Sequence, residues 1–378
     1  MNHLQSNVTT YTVTEKATRL YNGVVDIFDW RNSSDVVTPY ELALKQVREL
    51  PTHMGNVLIP GAGIGTYILA LLQEGFKPEQ ITAIELDPAY SRLGYGIFSR
   101  FGVHYVTADF LLWQSAMKFD VVIGNPPYQK SKYSDFYVCF MRKAVELLKD
   151  GGYFSMIAPS KGAQPGSRAQ KPLKELGWNF VEFGIESYFP NIGTVIAQYC
   201  GVKGSSLDTL ELSVKGTRST VQKGTVFPLT SRDQLAYSIV AKIFSHESKL
   251  PFVRQKEAPK GKYLYVSRII GTWHPAKIKG GSYALKAYKC EAPEQNDGGF
   301  IICQTEEQVE RANWAVTRSL VMLFAVNQCG RAAFIPPMFW SLSPDILECS
   351  SDEETFDMLG FTAEEVDYIN KWAAEVYK

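Results

Sequence analysis

Four residues in the chain, Asn125-Pro126-Pro127-Tyr128, have the types and the order needed to handle a flat, conjugated amine. Such an amine is a poor nucleophile because its lone pair is delocalised into the group that carries it. Two acceptors on its two hydrogens, the Asn125 side-chain oxygen and the Pro126 carbonyl, favour a pyramidal nitrogen whose lone pair points at an electrophile. Pro126 and Pro127 fix φ and remove competing N–H donors, so the loop presents its acceptors at little entropic cost. Tyr128 offers a flat face on which a planar base or amide can stack. A rigid turn before a helix is the plainer reading of the same residues.

A second group lies upstream. Pro60-Gly61-Ala62-Gly63-Ile64-Gly65 follows an apolar run, and glycines there allow a sharp turn and a close approach of ligand to backbone. It is not the dinucleotide fingerprint, because Thr66 stands where a third glycine is required. Glu85 comes about one strand–helix–strand unit later, where an acid can accept both hydroxyls of a ribose. Asp109, in Thr107-Ala108-Asp109-Phe110, is placed to accept from an adenine amino group, with Phe110 covering the ring. A solvated strand end and an ordinary turn aspartate are the plainer alternatives for the two acids. The glycine loop, Glu85 and Asp109 jointly outline an adenosine pocket better than any one of them does.

The elements that must hold these groups are legible in the hydropathy. Short apolar runs at Val57–Ile59, Ile81–Ile84, Val103–Val106, Phe119–Ile123, Gly152–Ala158, Trp178–Phe183 and Val195–Val202 predict strands. Helical patterns at Tyr67–Glu74, Ala89–Arg100 and Ser134–Leu148 separate the first five. Thr38-Pro39 introduces a further helix over Tyr40–Leu50, with proline in its first turn. Strands alternating with helices predict an α/β, doubly wound, mostly parallel sheet with ligand sites at the carboxyl ends of its strands. The last two runs are close enough to form an antiparallel hairpin at the sheet edge.

Residues 1–37 show no clear periodicity. After residue 203 the alternation stops, and Gly204-Ser205-Ser206 predicts a linker. Short strands, turns and helices follow, ending in a capping box at Thr362–Glu365 and a terminal helix over Val366–Val376. The expected division is an N-terminal segment at 1–37, an α/β catalytic domain at 38–203 and a smaller, mixed α+β domain at 204–378. The 378 residues, 45% hydrophobic and 21% charged, suffice for two sizeable cores. No apolar run approaches the roughly 18 residues of a membrane span. Met1-Asn2-His3-Leu4-Gln5 has neither a basic nor an apolar region, so no signal peptide is expected. The six cysteines form no Cys-x-x-Cys pair, which argues against zinc and for free thiols in the cytoplasm.

With its motifs in this order, the chain resembles the S-adenosylmethionine-dependent amino-methyltransferases. Within them it resembles the N6-adenine DNA methyltransferases of the gamma-class arrangement, over residues 36–202. The resemblance implies a seven-stranded methyltransferase sheet with an antiparallel edge, and S-adenosylmethionine as the cofactor. It implies that Pro60, Gly61, Gly63 and Gly65 bind that cofactor, that Glu85 holds its ribose, and that Thr38 of Thr38-Pro39-Tyr40 belongs to the upstream cofactor motif. Asn125, Pro126, Pro127 and Tyr128 would receive the target amine. In Tyr188-Phe189-Pro190-Asn191, Phe189 is similar in position to an aromatic that touches the flipped base; a core aromatic is its alternative. Ile59 departs from the pattern, because many relatives carry an acid there.

Asn-Pro-Pro-Tyr is shared with enzymes that methylate RNA adenine or guanine and with those that methylate a glutamine amide in release factors. The rest of the chain discriminates. Residues 201–289 hold 16 basic against 5 acidic side chains, and 290–378 hold 5 against 16. A block that basic suggests a polyanion surface, with Lys277 and Lys279 for phosphates and Arg268 and His274 for base edges. Mutual neutralisation of the two blocks is the rival explanation. The expectation is a site-specific DNA adenine methyltransferase acting on double-stranded DNA by base flipping, without metal or membrane, and either solitary, phage-borne or one half of a restriction system with a separate restriction endonuclease. RNA, a protein amide, and a non-catalytic DNA-binding module are the alternatives, in that order.

Overall fold

Val57–Pro60 form β1, a strand buried at all four positions. Burial on both faces is what a place between two parallel neighbours demands, and it explains the unbroken apolar run. The computed structural model describes residues 2–25, 37–51, 55–128, 135–189, 195–214, 216–224, 226–228, 233–244, 250–255, 257–271, 284–289, 298–329 and 342–376. Further strands are β2 (Ile81–Glu85), β3 (His104–Thr107), β4 (Phe119–Gly124), β5 (Leu148–Pro159), β6 (Trp178–Phe183), β7 (Ile196–Val202), β8 (Thr209–Val214) and β9 (Thr217–Gln222). Their order in the sheet is β3-β2-β1-β4-β5-β7-β6-β8-β9. Pairing is parallel from β3 to β5 and antiparallel on both sides of β7.

The α/β doubly wound sheet with an antiparallel edge is therefore present, but two further strands extend it beyond the expected seven. The contact pattern divides the chain into two compact units, 1–162 with 168–213 and 218–221, and 163–167 with 214–217 and 222–378. The break expected at 204 falls before that division. Gly204 turns the chain at φ +90° instead of releasing it, and β8 then returns to the sheet.

Helices of the first unit are α1 (Asn2–Val25), α2 (Tyr40–Arg48), α3 (Thr66–Gln73), α4 (Pro88–Phe98), α5 (Tyr137–Leu147) and α6 (Gln170–Glu175). α3 buries seven consecutive residues, Thr66–Leu72, against Val57, Ile59, Ile81 and Ala83 of the sheet core. A side chain such as Leu69 or Leu71, fully removed from water, contributes about 1.5–3 kcal/mol. α1 is a helix where no periodicity was visible. Its inward contacts are partly polar, which hides the pattern: Thr14 Oγ1 donates to the Leu72 carbonyl at 3.2 Å, and Tyr21 Oη bonds Thr66 Oγ1 at 2.6 Å.

In the second unit, β10 (Phe252–Val253), β11 (Lys262–Gly271), β12 (Ala284–Tyr288) and β13 (Gly299–Cys303) form an antiparallel sheet of order β10-β13-β11-β12. Among the described residues the helices that accompany it are α7 (Gln234–Phe244), α8 (Glu306–Thr317), α9 (Leu320–Cys329), α10 (Asp352–Met358) and α11 (Ala363–Val376). Phe324 of α9 packs edge-on against Tyr368 and Trp372 of α11. The capping box before α11 is reciprocal, with Glu365 N–H donating to Thr362 Oγ1 and Thr362 N–H to Glu365 Oε2. Among the described residues no helix is long and apolar enough to cross a membrane, and no group of His, Cys, Asp or Glu could hold a metal ion.

Candidate active site

The carboxyl ends of β1, β2 and β4 meet in one place. A methyl added to Gly124, the last residue of β4, would sit 3.2 Å from the Pro60 carbonyl oxygen. Glycine at 124 thus lets the Asn125 loop start close against the end of β1. A methyl on Gly61 would stand 3.7 Å from Cδ of Pro127, so the glycine loop runs beside the Asn-Pro-Pro-Tyr loop. Gly61, Gly63 and Gly65 have φ of +64°, +58° and +100°, a conformation that side-chain-bearing residues rarely adopt. Their surroundings differ. A Cβ at Gly63 would meet nothing within 4 Å, whereas one at Gly65 would lie 2.3 Å from the Phe98 ring. Gly63 faces open space, and Gly65 serves packing.

Glu85 closes this loop from the end of β2. Its Oε2 accepts the Gly63 N–H at 2.7 Å and its Oε1 accepts the Asp87 N–H at 2.7 Å. Tyr105 of β3 donates its hydroxyl proton to the Gly63 carbonyl, holding the same residue from the other side. Burial pushes the Glu85 carboxyl above its ordinary range, against the opposing pull of the Asp87, Gly63 and Leu86 N–H groups. A carboxylate has about four acceptor positions, so beyond these three backbone bonds it keeps capacity for a donor from a ligand.

Asp109 lies at the neighbouring strand end, where Oδ1 accepts the Leu111 N–H at 2.9 Å and the carbonyl accepts from Leu112 and Trp113. It shapes the turn and retains acceptor capacity. Phe110 differs from expectation. It is 3% exposed and stacks on Phe140 at 5.2 Å, so it is a core ring with no open face. The exposed apolar side chains here are Leu86 and Leu112, 56% and 76% accessible, directly after Glu85 and shortly after Asp109. They were missed in the sequence, although a leucine beside a strand-end acid is itself a signal.

Asn125 is held at both ends. Its Nδ2 donates to Thr38 Oγ1 at 3.1 Å, and its Oδ1 accepts the Tyr128 hydroxyl at 2.7 Å. Burial drives the Tyr128 phenol far above its ordinary range, so it remains a neutral donor. Pro126 is buried and Pro127 exposed. Tyr128 packs against a small cluster of Leu42, Ile157, Ile185, Phe189 and Ile196. Phe189 therefore shares a cluster with Tyr128, but at 5% exposure it is a core side chain in this state. Thr38, expected at the cofactor, is 7% exposed and spends its hydroxyl on Asn125.

Of the residues expected to touch DNA, His274, Lys277 and Lys279 lie outside the described residues, as does the side chain of Arg268 in β11. Three described lysines of this unit's basic block pair with acids of the chain's last block. Lys262 bonds Glu306, Lys289 bonds Glu310, and Lys242 Nζ lies 2.7 Å from Glu365 Oε2. Neutralisation between the blocks is thus real for these three lysines.

Comparison with known proteins bears on the loop region. Residues 98–177 match the family model for the Eco57I restriction-modification methylase. The modification methylase CviBIII of Paramecium bursaria Chlorella virus NC1A is 35% identical over 118 residues, 28% of this chain and 31% of that protein. A tRNA1(Val) (adenine(37)-N6)-methyltransferase of Bacteroides thetaiotaomicron is 30% identical over 123 residues, 28% of this chain and 52% of that one. The crystal structure of the type I restriction enzyme EcoKI M protein superposes with a TM-score of 0.38 at 17% identity, covering 50% of this chain and 49% of that one. The chain spans between a third and a half of the length of these curated relatives. From the end of α4 through α6, and across the Asn125–Tyr128 loop, the chain is similar in sequence to the Eco57I restriction-modification methylase family.

Proposed function

We propose that the chain is a methyltransferase that moves the methyl group of S-adenosylmethionine to the N6 amino group of an adenine flipped out of double-stranded DNA. One observation carries this reading. The Asn125 amide is pinned through its nitrogen, so that its oxygen is the end turned toward Tyr128, in a loop that runs beside the glycine turn at Gly61. S-adenosylmethionine, when bound, supplies an electrophilic methyl on its sulfonium. The residues fit it: the Gly61–Gly63 turn leaves room that a Cβ would fill, Glu85 retains acceptor capacity for a ribose hydroxyl, and Leu86 and Leu112 offer apolar surface for its base.

Asn125 Oδ1 and the Pro126 carbonyl take the two hydrogens of the target amine and keep its lone pair out of the ring plane. Tyr128 stacks on the base, which offsets part of the few kcal/mol that flipping costs. Phe189, behind Tyr128, steadies that ring. Residues 204–378 would supply target recognition, with Lys277 and Lys279 on phosphates and Arg268 and His274 at base edges. A separate restriction endonuclease is the partner that such a modification enzyme implies.

RNA is the second reading, favoured by the tRNA adenine-N6 methyltransferase similarity. Radiolabelled S-adenosylmethionine offered with duplex DNA, tRNA or a release-factor domain separates the substrates. Label in DNA adenine N6 supports the proposal; label confined to tRNA or protein overturns it.

A further inference from the structure

We propose that Thr38 is a positioning residue for Asn125, the first link of a buried chain of hydrogen bonds through Tyr67, Gln46 and Ser155. The proposal rests on reading Asn125 as the acceptor for the target amine. A primary amide offers an oxygen on one side and two N–H donors on the other, and the two ends are nearly equal in size. Turned the wrong way, Asn125 would face the amine with donors, and the amine's hydrogens would have no acceptor there. Something must fix which way it faces.

The direction of the chain does so. Asn125 Nδ2 donates to Thr38 Oγ1 at 3.1 Å. The Thr38 hydroxyl is also bonded to the Tyr67 phenol. Tyr67 has spent its own proton on Gln46 Oε1 at 2.5 Å, so Thr38 must donate to Tyr67 and accept from Asn125. Gln46 Nε2 then donates to Ser155 Oγ at 3.0 Å. The far end is set by charge. Gln198 Nε2 donates to the Glu49 carboxylate at 2.7 Å, an acceptor only, and from that fixed position reaches the same Ser155 oxygen at 3.3 Å. Thr38 and Tyr67 are 7% and 4% exposed, and Gln46, Ser155 and Gln198 are fully buried. Reversing one amide would require the hydroxyls beside it to turn as well, and Gln198 cannot turn without setting its oxygen against the Glu49 carboxylate, a cost that a dry interior does not relieve.

The chain links the segment before α2 to α2, α3, β5 and β7. It gives the upstream Thr38-Pro39 motif a task distinct from holding the cofactor, and the two tasks fail differently. Thr38→Val keeps the volume and removes the hydroxyl. Thr38→Ser keeps the hydroxyl. Tyr67→Phe leaves Thr38 intact but removes the acceptor for its proton.

Full-length protein would be assayed for kcat and for calorimetric affinity toward S-adenosylmethionine. The Asn125 side-chain amide would be followed by nitrogen-15 NMR. Thr38→Val should lower kcat about tenfold with cofactor affinity held within about twofold, and Thr38→Ser should restore it. Tyr67→Phe should lower kcat several-fold, and the Asn125 amide signal should move in Thr38→Val and Tyr67→Phe but not in Thr38→Ser. Lost cofactor affinity at unchanged kcat in Thr38→Val overturns the proposal, as does wild-type turnover in Tyr67→Phe. An Asn125 signal indifferent to Thr38→Val overturns it whatever the activity. Wild-type protein that methylates none of the substrates, with the amide responding as described, sinks the functional reading and leaves the positioning in place.

Discussion

The Tyr128 hydroxyl donates a 2.7 Å hydrogen bond to Oδ1 of Asn125, three residues before it in the same loop. The ring that would stack on a flipped base therefore occupies, through its own phenol, the acceptor that the amine of that base needs. Binding a base must exchange one hydrogen bond for the other. Because a net hydrogen bond is worth about 0.5–1.5 kcal/mol, the exchange is a modest barrier.

Tyr128→Phe separates the two contributions of this residue. It keeps the stacking face and releases Asn125 Oδ1, so turnover should stay within roughly tenfold of wild type in either direction. Tyr128→Ala removes the face as well and should cost roughly 1–3 kcal/mol of base stacking. Turnover and the fluorescence of 2-aminopurine at the target position measure both. Phe as damaging as Ala would mean that the phenol, and not the ring, is what the site uses.

Glu85 makes cofactor affinity depend on pH. Burial raises its folded pKa, so it takes up a proton above the ordinary carboxylate range as pH falls. The charged form is the one with lone pairs for ribose hydroxyls. Affinity for S-adenosylmethionine should therefore weaken as pH falls toward the ordinary carboxylate range, and the loss should begin above that range. The free protein should behave oppositely at this residue. A folded pKa above the unfolded one contributes stability that is present at low pH and lost as pH rises through the folded value. Calorimetric titration of wild type and Glu85→Gln across that range checks the sign, and the variant should show no such slope. Asn125→Ala should leave cofactor affinity nearly intact while removing most turnover.

The sheet and the loops at its carboxyl ends were legible because they depend on local rules. Continuous apolar runs mark strands buried on both faces, as at Val57–Ile59, and glycines mark turns of positive φ, as at Gly63. What stayed hidden depends on side-chain partners distant in sequence. Thr38 meets Asn125 across 87 positions, and Gln198 meets Glu49 across 149. No periodicity records such pairs. The partner of Phe110 stayed hidden for a related reason, because a pocket aromatic and a core aromatic have the same local sequence, and the Phe140 ring 5.2 Å away leaves no local mark. The helix at Asn2–Val25 escaped notice because Thr14 and Tyr21, polar by composition, face its inner side.

The three loop glycines should fail in different ways. Gly65→Ala brings a methyl within 2.3 Å of the Phe98 ring at φ +100°, so it should lower the melting temperature and remove cofactor binding with it. Gly63→Ala has room but not conformation, at φ +58°. Its backbone cost is about 1–2 kcal/mol, and the added methyl enters the space beside the Glu85 contact. It should lose cofactor affinity by more than its melting temperature suggests. Thermal melts with and without S-adenosylmethionine distinguish them, and identical behaviour of the two variants would mean that the space at Gly63 is not a ligand site.

The lysines of the second unit divide into two groups that DNA binding should tell apart. Lys262 and Lys289 are tied to Glu306 and Glu310, exposed pairs of the kind worth about 0–1 kcal/mol. A lysine already paired must give up its carboxylate before it can neutralise a phosphate and release a counterion from the DNA. Replacing Lys262 and Lys289 with Ala should leave the salt dependence of DNA affinity unchanged and shift the melting temperature only slightly. Replacing Lys277 and Lys279 should weaken binding to all sequences alike and flatten the salt slope by about one unit for each lost phosphate contact. Arg268→Ala should instead reduce discrimination between sites, because a bidentate contact to guanine is worth about 1–3 kcal/mol. Affinity measured against salt for the three variants, on cognate and random duplexes, resolves the pattern. A slope that responds to Lys262 and Lys289 but not to Lys277 and Lys279 would place the phosphate surface on the paired face of α8. Mutual neutralisation of the two charge blocks would then be only the resting state of a surface that opens its ion pairs for DNA.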